Sequence, residues 1–215
     1  MKTAGEVRTG TCACARRAAL ALCAAAACAC SGGKAYLVSP SLRTAADVRV
    51  AVLPFDNQST DVGAADIMRA LAAEGFGRRG YLPLPPGEVD GKLSGLGISE
   101  GGQLPGVKPE DLARALGTDL LCYGDVEDFT FQNLGFVVRK SVILRLKLVS
   151  AATGETLYEG TGSGKDVKVY FSADEAKAAF VEQLAVKLVQ NILKTPLKRE
   201  AETAAARALD RLPRR

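Results

Sequence analysis

Six successive side chains, Asp56-Asn57-Gln58-Ser59-Thr60-Asp61, each carry an oxygen able to bond a backbone amide or a polar ligand. Such a stretch can do one of two things. At the carboxyl end of a strand and the amino end of a helix it can hold a small polar or glycan ligand, because open α/β sheets bind ligands there. Alternatively, Ser59, Thr60 or Asp61 caps the helix while Asn57 closes the turn. The candidate binding residues are therefore Asp56, Asn57, Ser59 and Asp61. Further on, Asp125 and Glu127 share a strand face with Asp128 opposite, and are expected to be solvated acids rather than a proton-transfer pair. The chain has no histidine, which excludes Ser-His-Asp and Cys-His catalysis and histidine-ligated zinc. Cys12-Ala13-Cys14 lacks the second pair that a metal site needs. Gly160-Thr161-Gly162-Ser163-Gly164-Lys165 carries only part of a phosphate-loop pattern. Glu159 stands where the first glycine belongs and Asp166 where Ser or Thr belongs. Its expected role is a flexible strand exit. No catalytic residue, metal or cofactor is assigned, and the chain is read as a non-enzyme. Phe129, Phe131 and Phe136 flank a hairpin turn and are either core or a partner-binding interface.

The leader carries the remaining chemistry. Arg16 and Arg17 precede an uncharged apolar run, Ala18 to Ala29, which ends at Cys30 and Ser31-Gly32-Gly33. A basic start, a short apolar run and a small-residue cleavage site make an export signal. The run is too short to span a bilayer, which takes about 20 residues. The cleavage site resembles the lipobox of bacterial lipoproteins, in which a small residue precedes the cysteine that is diacylated. Cys30, followed by a flexible tether, is the preferred lipidation site, and Cys28 after Ala25-Ala26-Ala27 is the alternative register. Leu22 immediately before Cys23 argues against cleavage there. An ordinary secretory signal is the competing reading. In the proteins it resembles, a residue other than aspartate after the acylated cysteine favours the outer membrane, and here that residue is Ser31.

Charge divides unevenly along the 215 residues. Of the net +4, residues 1–29 hold four bases against one acid and residues 194–215 seven against three, which leaves the body at −3. A nucleic-acid-binding body is thereby excluded as the main reading. Five of the six cysteines fall in the leader or at its end, so acylation at Cys30 leaves the mature body one thiol, Cys122, and no internal disulfide.

The elements follow from pattern. Residues 1–29 are read as a signal peptide, 30–47 as a tether, 48–195 as one α/β domain and 196–215 as a basic tail, helical or disordered. Val48 to Phe55 is a buried strand, the residues after Val62 a helix stopped by Gly75, and Tyr81 to Leu84 a strand at an edge or end. Residues 85–108 are rich in Gly and Pro and are expected to be a long loop with one helical turn near Val89–Leu96. Pro109 to Gly117 is a compact helix with proline first and glycine last. Three strands follow, Leu120 to Phe131, Val137 to Ser150 and Thr156 to Gly162. In the second, Val138, Val142, Leu144, Leu146 and Leu148 alternate with Arg139, Arg145 and Lys147, the mark of one wet face. Ala173 to Leu193 is an amphipathic helix with Phe180, Leu184, Leu188 and Ile192 in line. The tail beyond is expected to be solvated, or to lie on anionic lipid, peptidoglycan or a partner. The order β-α-β-α-β-β-β-α predicts a mixed sheet of about five strands with helices packed on it.

Certain of these landmarks resemble a family. Leu53-Pro54, Asn57-x-Ser59-x-Asp61-Val62, Glu74-Gly75-Phe76, the stretch Pro109–Leu121 and Gly154-Glu155-Thr156-Leu157 are similar, in order, to the bacterial lipoproteins called domain of unknown function 799, of the meningococcal vaccine-candidate type. The likeness spans roughly 48–195 and omits the tail. It implies an α/β fold like the N-terminal domain of TolB and a neighbourhood of lipoproteins similar to the curli-export protein CsgG. It implies no activity and no catalytic residues. The combined expectation is an envelope lipoprotein, anchored by lipid in the outer membrane and facing the periplasm or the cell surface, that docks other envelope lipoproteins. The alternative is a periplasmic binding module using the Asp56–Asp61 loop.

Overall fold

The sheet is built around a buried run, Val50-Ala51-Val52-Leu53, whose members are at most 2% exposed. β-Branched residues fit a pleated surface, and burial on both sides selects a parallel, internal strand. In the computed structural model, which describes residues 37–43, 48–134, 136–169 and 197–215, this strand pairs in parallel with two others. The elements are β1 (Leu37–Val38), β2 (Arg49–Val52), β3 (Asp56–Asn57), α1 (Ala64–Gly77), β4 (Leu82–Pro83), α2 (Pro86–Ser94), α3 (Pro109–Leu116), β5 (Leu120–Asn133), β6 (Val137–Ser150), β7 (Thr156–Val169) and α4 (Lys198–Ala208). The leader with Cys28 and Cys30, most of the tether and the expected helix Ala173 to Leu193 lie outside the described residues.

The sheet is mixed, in the order β1-β7-β6-β5-β2-β4, with β3 also paired to β5. β2, β3 and β4 run parallel to their partners. β5, β6, β7 and β1 are antiparallel neighbours. The expected mixed sheet is present with seven strands rather than about five. The surplus is β1 and β3, two residues each, too short to show any periodicity. β2 and β3 are in effect one strand interrupted at Pro54, which has no N–H to give the ladder. Leu53 N still donates to Cys122 O at 3.0 Å before the break, and Gln58 N to Val126 O at 3.0 Å after it.

Helices cover the two faces unequally. On one face α1 and α4 bury Met68, Ala72 and Phe76 together with Ala201, Ala204, Ala205 and Ala208 against Val126, Val142, Leu144, Leu146 and Leu148. On the other, α2 and α3 place Val89, Leu93, Leu112 and Leu116 over Ala51, Leu53, Leu121 and Val149, at one end of the sheet. The expected long loop at 85–108 is thus partly helix, α2 and a 3-10 turn over Gly101–Gly106. Pro86 at its first turn and the buried pair Val89 and Leu93, four apart, explain why. α3 ends as expected, at Gly117 in the left-handed conformation (φ 66°), with its N–H on Ala113 O at 2.8 Å.

Two expectations need correction. The Gly160–Lys165 stretch is no flexible exit, for β7 continues unbroken to Val169. Nor is 196–215 a solvated tail: α4 lies directly on β7, with Leu197, Leu209 and Leu212 buried beside its alanines. The two corrections have one cause. Gly160, Gly162 and Gly164 fall on a single face of β7, and a Cβ at each would collide with the backbone of Ala208, Ala204 and Glu200 in turn. Four helical residues rise about 6 Å and two strand residues about 6.6 Å. Successive turns of α4 therefore meet successive glycines. Tyr158 Oη donates to Ala208 O (2.6 Å) and Arg207 Nη1 to Ser163 O (2.7 Å), fixing the register at the helix's carboxyl end.

Candidate functional site

The Asp56–Asp61 loop leaves β3 at its carboxyl end and enters α1, as its residue types predict. Its base is rigid. Phe55 is buried with its ring over Gly124, and its backbone lies so close to Gly101 that a side chain at either glycine would collide with it. Within the loop Asn57 Nδ2 donates to Asp61 O (2.8 Å), and Asn57 Oδ1 accepts from Ser59 N (3.0 Å) and Ser59 Oγ (2.7 Å). Asp61 Oδ1 accepts from Gly63 N at 2.9 Å and Asp61 O from Ala64 N at 3.2 Å. Gly63 precedes the helix and offers no side-chain cap. Asn57, Ser59 and Asp61 are thus brought together, with much of their bonding capacity turned inward on the loop. Asp56 is different. Its carboxylate takes no part in those bonds, and by strand register it stands beside Asp125.

The acids of β5 are arranged differently from their spacing. A bulge between Val126 and Asp128 inserts one residue, so Asp128 pairs with Ile143 while Val126 pairs with Leu144. Asp128 therefore joins Asp125 and Glu127 on the wet face instead of pointing opposite. The bases of β6 meet them there: Arg145 Nη2 lies 2.6 Å from Glu127 Oε1 and Arg139 Nη2 4.0 Å from Asp128 Oδ2. Burial, then the Asp56 carboxylate, hold Asp125 above the usual carboxylate range, against Arg145 and with Glu127. No helix among the described residues lies over this part of β5–β7, and the result is a polar strip of interleaved acids and bases.

The aromatic trio is divided by the fold. Phe129 is 2% exposed and Phe131 packs beside the core, whereas Phe136 is 57% exposed at the tip of the β5–β6 hairpin. Beside it stand Leu134, Val167 and Val169, all exposed. The sequence reading missed these valines because it ended the strand at Gly162. Their alternation with Asp166 and Lys168 was the available signal. Burial pushes the Cys122 thiol far up, leaving it no thiolate for nucleophilic work. Among the described residues no group of three or more His, Cys, Asp or Glu is placed to hold a metal. None of the described helices is long and apolar enough to cross a membrane.

Arg69 shows how the unequal coverage is tied together. It sits on α1, 7% exposed, and its Nε donates to Val52 O at 3.0 Å where β4 has ended. Its Nη1 is 2.8 Å from Asp90 on α2. One guanidinium thus closes the sheet edge and links a helix on each face.

Comparison with known proteins fits this architecture. The family model described as "Putative lipoprotein GNA1162-like" matches residues 40–214. The match includes the region first read as a tail outside the family likeness. A curated relative, "Putative lipoprotein NMB1124/NMB1162" of Neisseria meningitidis serogroup B, is 26% identical over 125 residues, covering 57% of this chain and 57% of the relative. The chain thus spans little more than half the length of that relative. The crystal structure of lipoprotein GNA1162 from Neisseria meningitidis superposes with a TM-score of 0.53 at 23% identity, over 64% of this chain and 98% of that one. A variant of the PelC dodecamer from Paraburkholderia phytofirmans gives 0.50 at 15% identity, over 84% and 97%. At these identities the two structures establish the fold alone.

Proposed function

The chain belongs to the GNA1162-like lipoprotein family, and from that premise we propose that it works as a non-enzymatic accessory of the bacterial envelope. It is acylated at Cys30, or at Cys28 in the other register. The lipid holds it in the outer membrane facing the periplasm, where it docks other envelope proteins, lipoproteins of a CsgG-like system among them. The supporting observation is the polar strip on β5–β7. Asp125, Glu127 and Asp128 face Arg139, Arg145 and Lys147 on a hydrogen-bonded sheet, so the charges are held in a fixed pattern. A flat, patterned surface suits a protein of complementary charge, for which such pairs set specificity and association rate.

Two experiments test this. Radiolabelled palmitate should enter the wild type and be lost in Cys30→Ser; loss only in Cys28→Ser moves the anchor to the other register, and equal labelling in all three rejects it. A photo-crosslinking residue at position 145 or 147 should capture one envelope lipoprotein in stoichiometric amount, and one at Ala152 should not. Identical capture from all three positions rejects docking through the strip.

A second reading, a binding module for a small polar or glycan ligand, rests on the Asp56 carboxylate that the loop's own bonds leave over. A glycan that raises Tm in the wild type but not in Asp56→Asn, without any captured partner, would favour it over docking.

A further inference from the structure

A short tether limits how far the lipid anchor can lie from β1. β1 runs antiparallel to β7, with Leu37 opposite Glu159 and Val38 opposite Tyr158. The amino end of β1 therefore points along β7 in the direction of Val169. Cys30 stands seven residue steps before Leu37, and extended chain advances no faster than about 3.3–3.6 Å per residue, close to the rise of a strand. Those steps keep Cys30 within about 25 Å of Leu37. At the far end of β7 stand Val167 and Val169, with Leu134 and Phe136 on the adjoining hairpin tip, exposed by 58%, 49%, 71% and 57%. Four large apolar side chains exposed at one end of a molecule call for an apolar partner.

The charges beside the tip sum to a net positive, which favours an anionic lipid surface. A cleft of about 310 Å³ next to it is lined by Lys140, Asp166, Lys168, Lys198, Arg199, Glu200 and Glu202. Lys140 lies 3.9 Å from Glu200 and Lys198 3.9 Å from Glu202. Lys168, Arg199 and Asp166 make no ion pair among the described residues, which leaves two bases against one acid and a net positive charge for lipid phosphates. Apolar side chains leading and bases just behind are the arrangement of proteins that lie in a bilayer interface, with the apolar part about 5–10 Å deep. The three strand residues past Asp166 measure about 10 Å along β7.

We propose that the hairpin tip, Leu134 and Phe136 with Val167 and Val169, inserts into the membrane that carries the acyl anchor, as a second contact that stands the sheet end-on to the lipid surface. This rests on acylation at the leader cysteine, and the experiment separates the two. The chain contains no tryptophan, so Phe136→Trp supplies a single indole at the tip and Ala152→Trp one at the opposite end of β6. Each acylated full-length variant is reconstituted in vesicles of phosphatidylethanolamine and phosphatidylglycerol with brominated acyl chains. Flotation with the vesicles reports the anchor, and quenching reports the tip. The expected result is that both variants float, that the indole at 136 loses most of its emission, and that the one at 152 keeps it. Flotation with both indoles unquenched overturns tip insertion while leaving the anchor standing, and failure to float overturns the anchor itself. A blue-shifted but unquenched indole at 136 also overturns insertion, because it shows the tip covered by protein, either a second copy or another segment of this chain.

Discussion

One face of β5–β7 accepts two helices, and the other, beyond the end that α2 and α3 cover, carries interleaved charges with no helix over them among the described residues. The backbone is the same; the difference lies in alternate side chains. On the covered face β6 offers Val142, Leu144, Leu146 and Leu148 and β7 offers glycines, so a helix can sink until its backbone meets the strand. Glycine inside a strand costs roughly 0.5–1 kcal/mol each in backbone entropy. That cost is offset only because α4 brings buried leucines and a close-fitting alanine face with it. On the opposite face Arg139, Arg145 and Lys147 of β6 carry charge, and covering them would strip their water. Burial therefore goes where side chains are smallest, and the charged face stays in water.

The sharpest way to break this contrast is to fill the glycine face. Gly162→Val should cost about 3 kcal/mol or more, because helix backbone rather than a movable side chain occupies the space. Ser163→Val, one residue on and facing the other way, should stay within about 0.5 kcal/mol of wild type. Equal urea midpoints for the two variants would show that α4 does not rest on β7 as described. Next in size is Arg69→Leu. It leaves Val52 O without its donor and Asp90 without its base, an expected loss of about 2 kcal/mol in chemical denaturation. Asp90→Asn should cost less, since Asp90 is half exposed and the bond to Val52 O survives.

The smallest expected effect belongs to the polar strip. Asp125 has a raised pKa in the folded state, from burial first and the Asp56 carboxylate second. A carboxyl raised on folding binds more protons in the folded protein, so its contribution is best at low pH and declines as pH rises from the unfolded value, about 3.9, through the folded one. Asp125→Asn should then raise Tm modestly at pH 7 and lose that advantage below about pH 3.9. A gain that persists unchanged at low pH would mean that carboxylate repulsion is not its source.

Much of the fold was legible along the chain because each local signal agreed with the packing. The alternation of β6, the proline and glycine that bound α3, and the buried run of β2 all say the same thing locally and globally. Three features were not legible. The bulge at Glu127 reverses which face Asp128 takes, and a single inserted residue leaves no mark on hydrophobic pattern. The loop at Asn57 reads equally as ligand site or self-bonded turn until its hydrogen-bond partners are known. The aromatics Phe129, Phe131 and Phe136 are alike in sequence, yet one ends in the core, one beside it and one at the tip.

The sequence by itself determined the family, five of the seven strands and the small, alternating residues of β7, since each follows from side-chain type and spacing within a few residues. Tertiary structure alone decided that Gly160, Gly162 and Gly164 belong with Ala201, Ala204, Ala205 and Ala208. Neither set can bury itself: a strand face without side chains and a helix face of methyl groups become stable only against each other. That match depends on two periods, one helical and one of strand, meeting across some forty residues of chain.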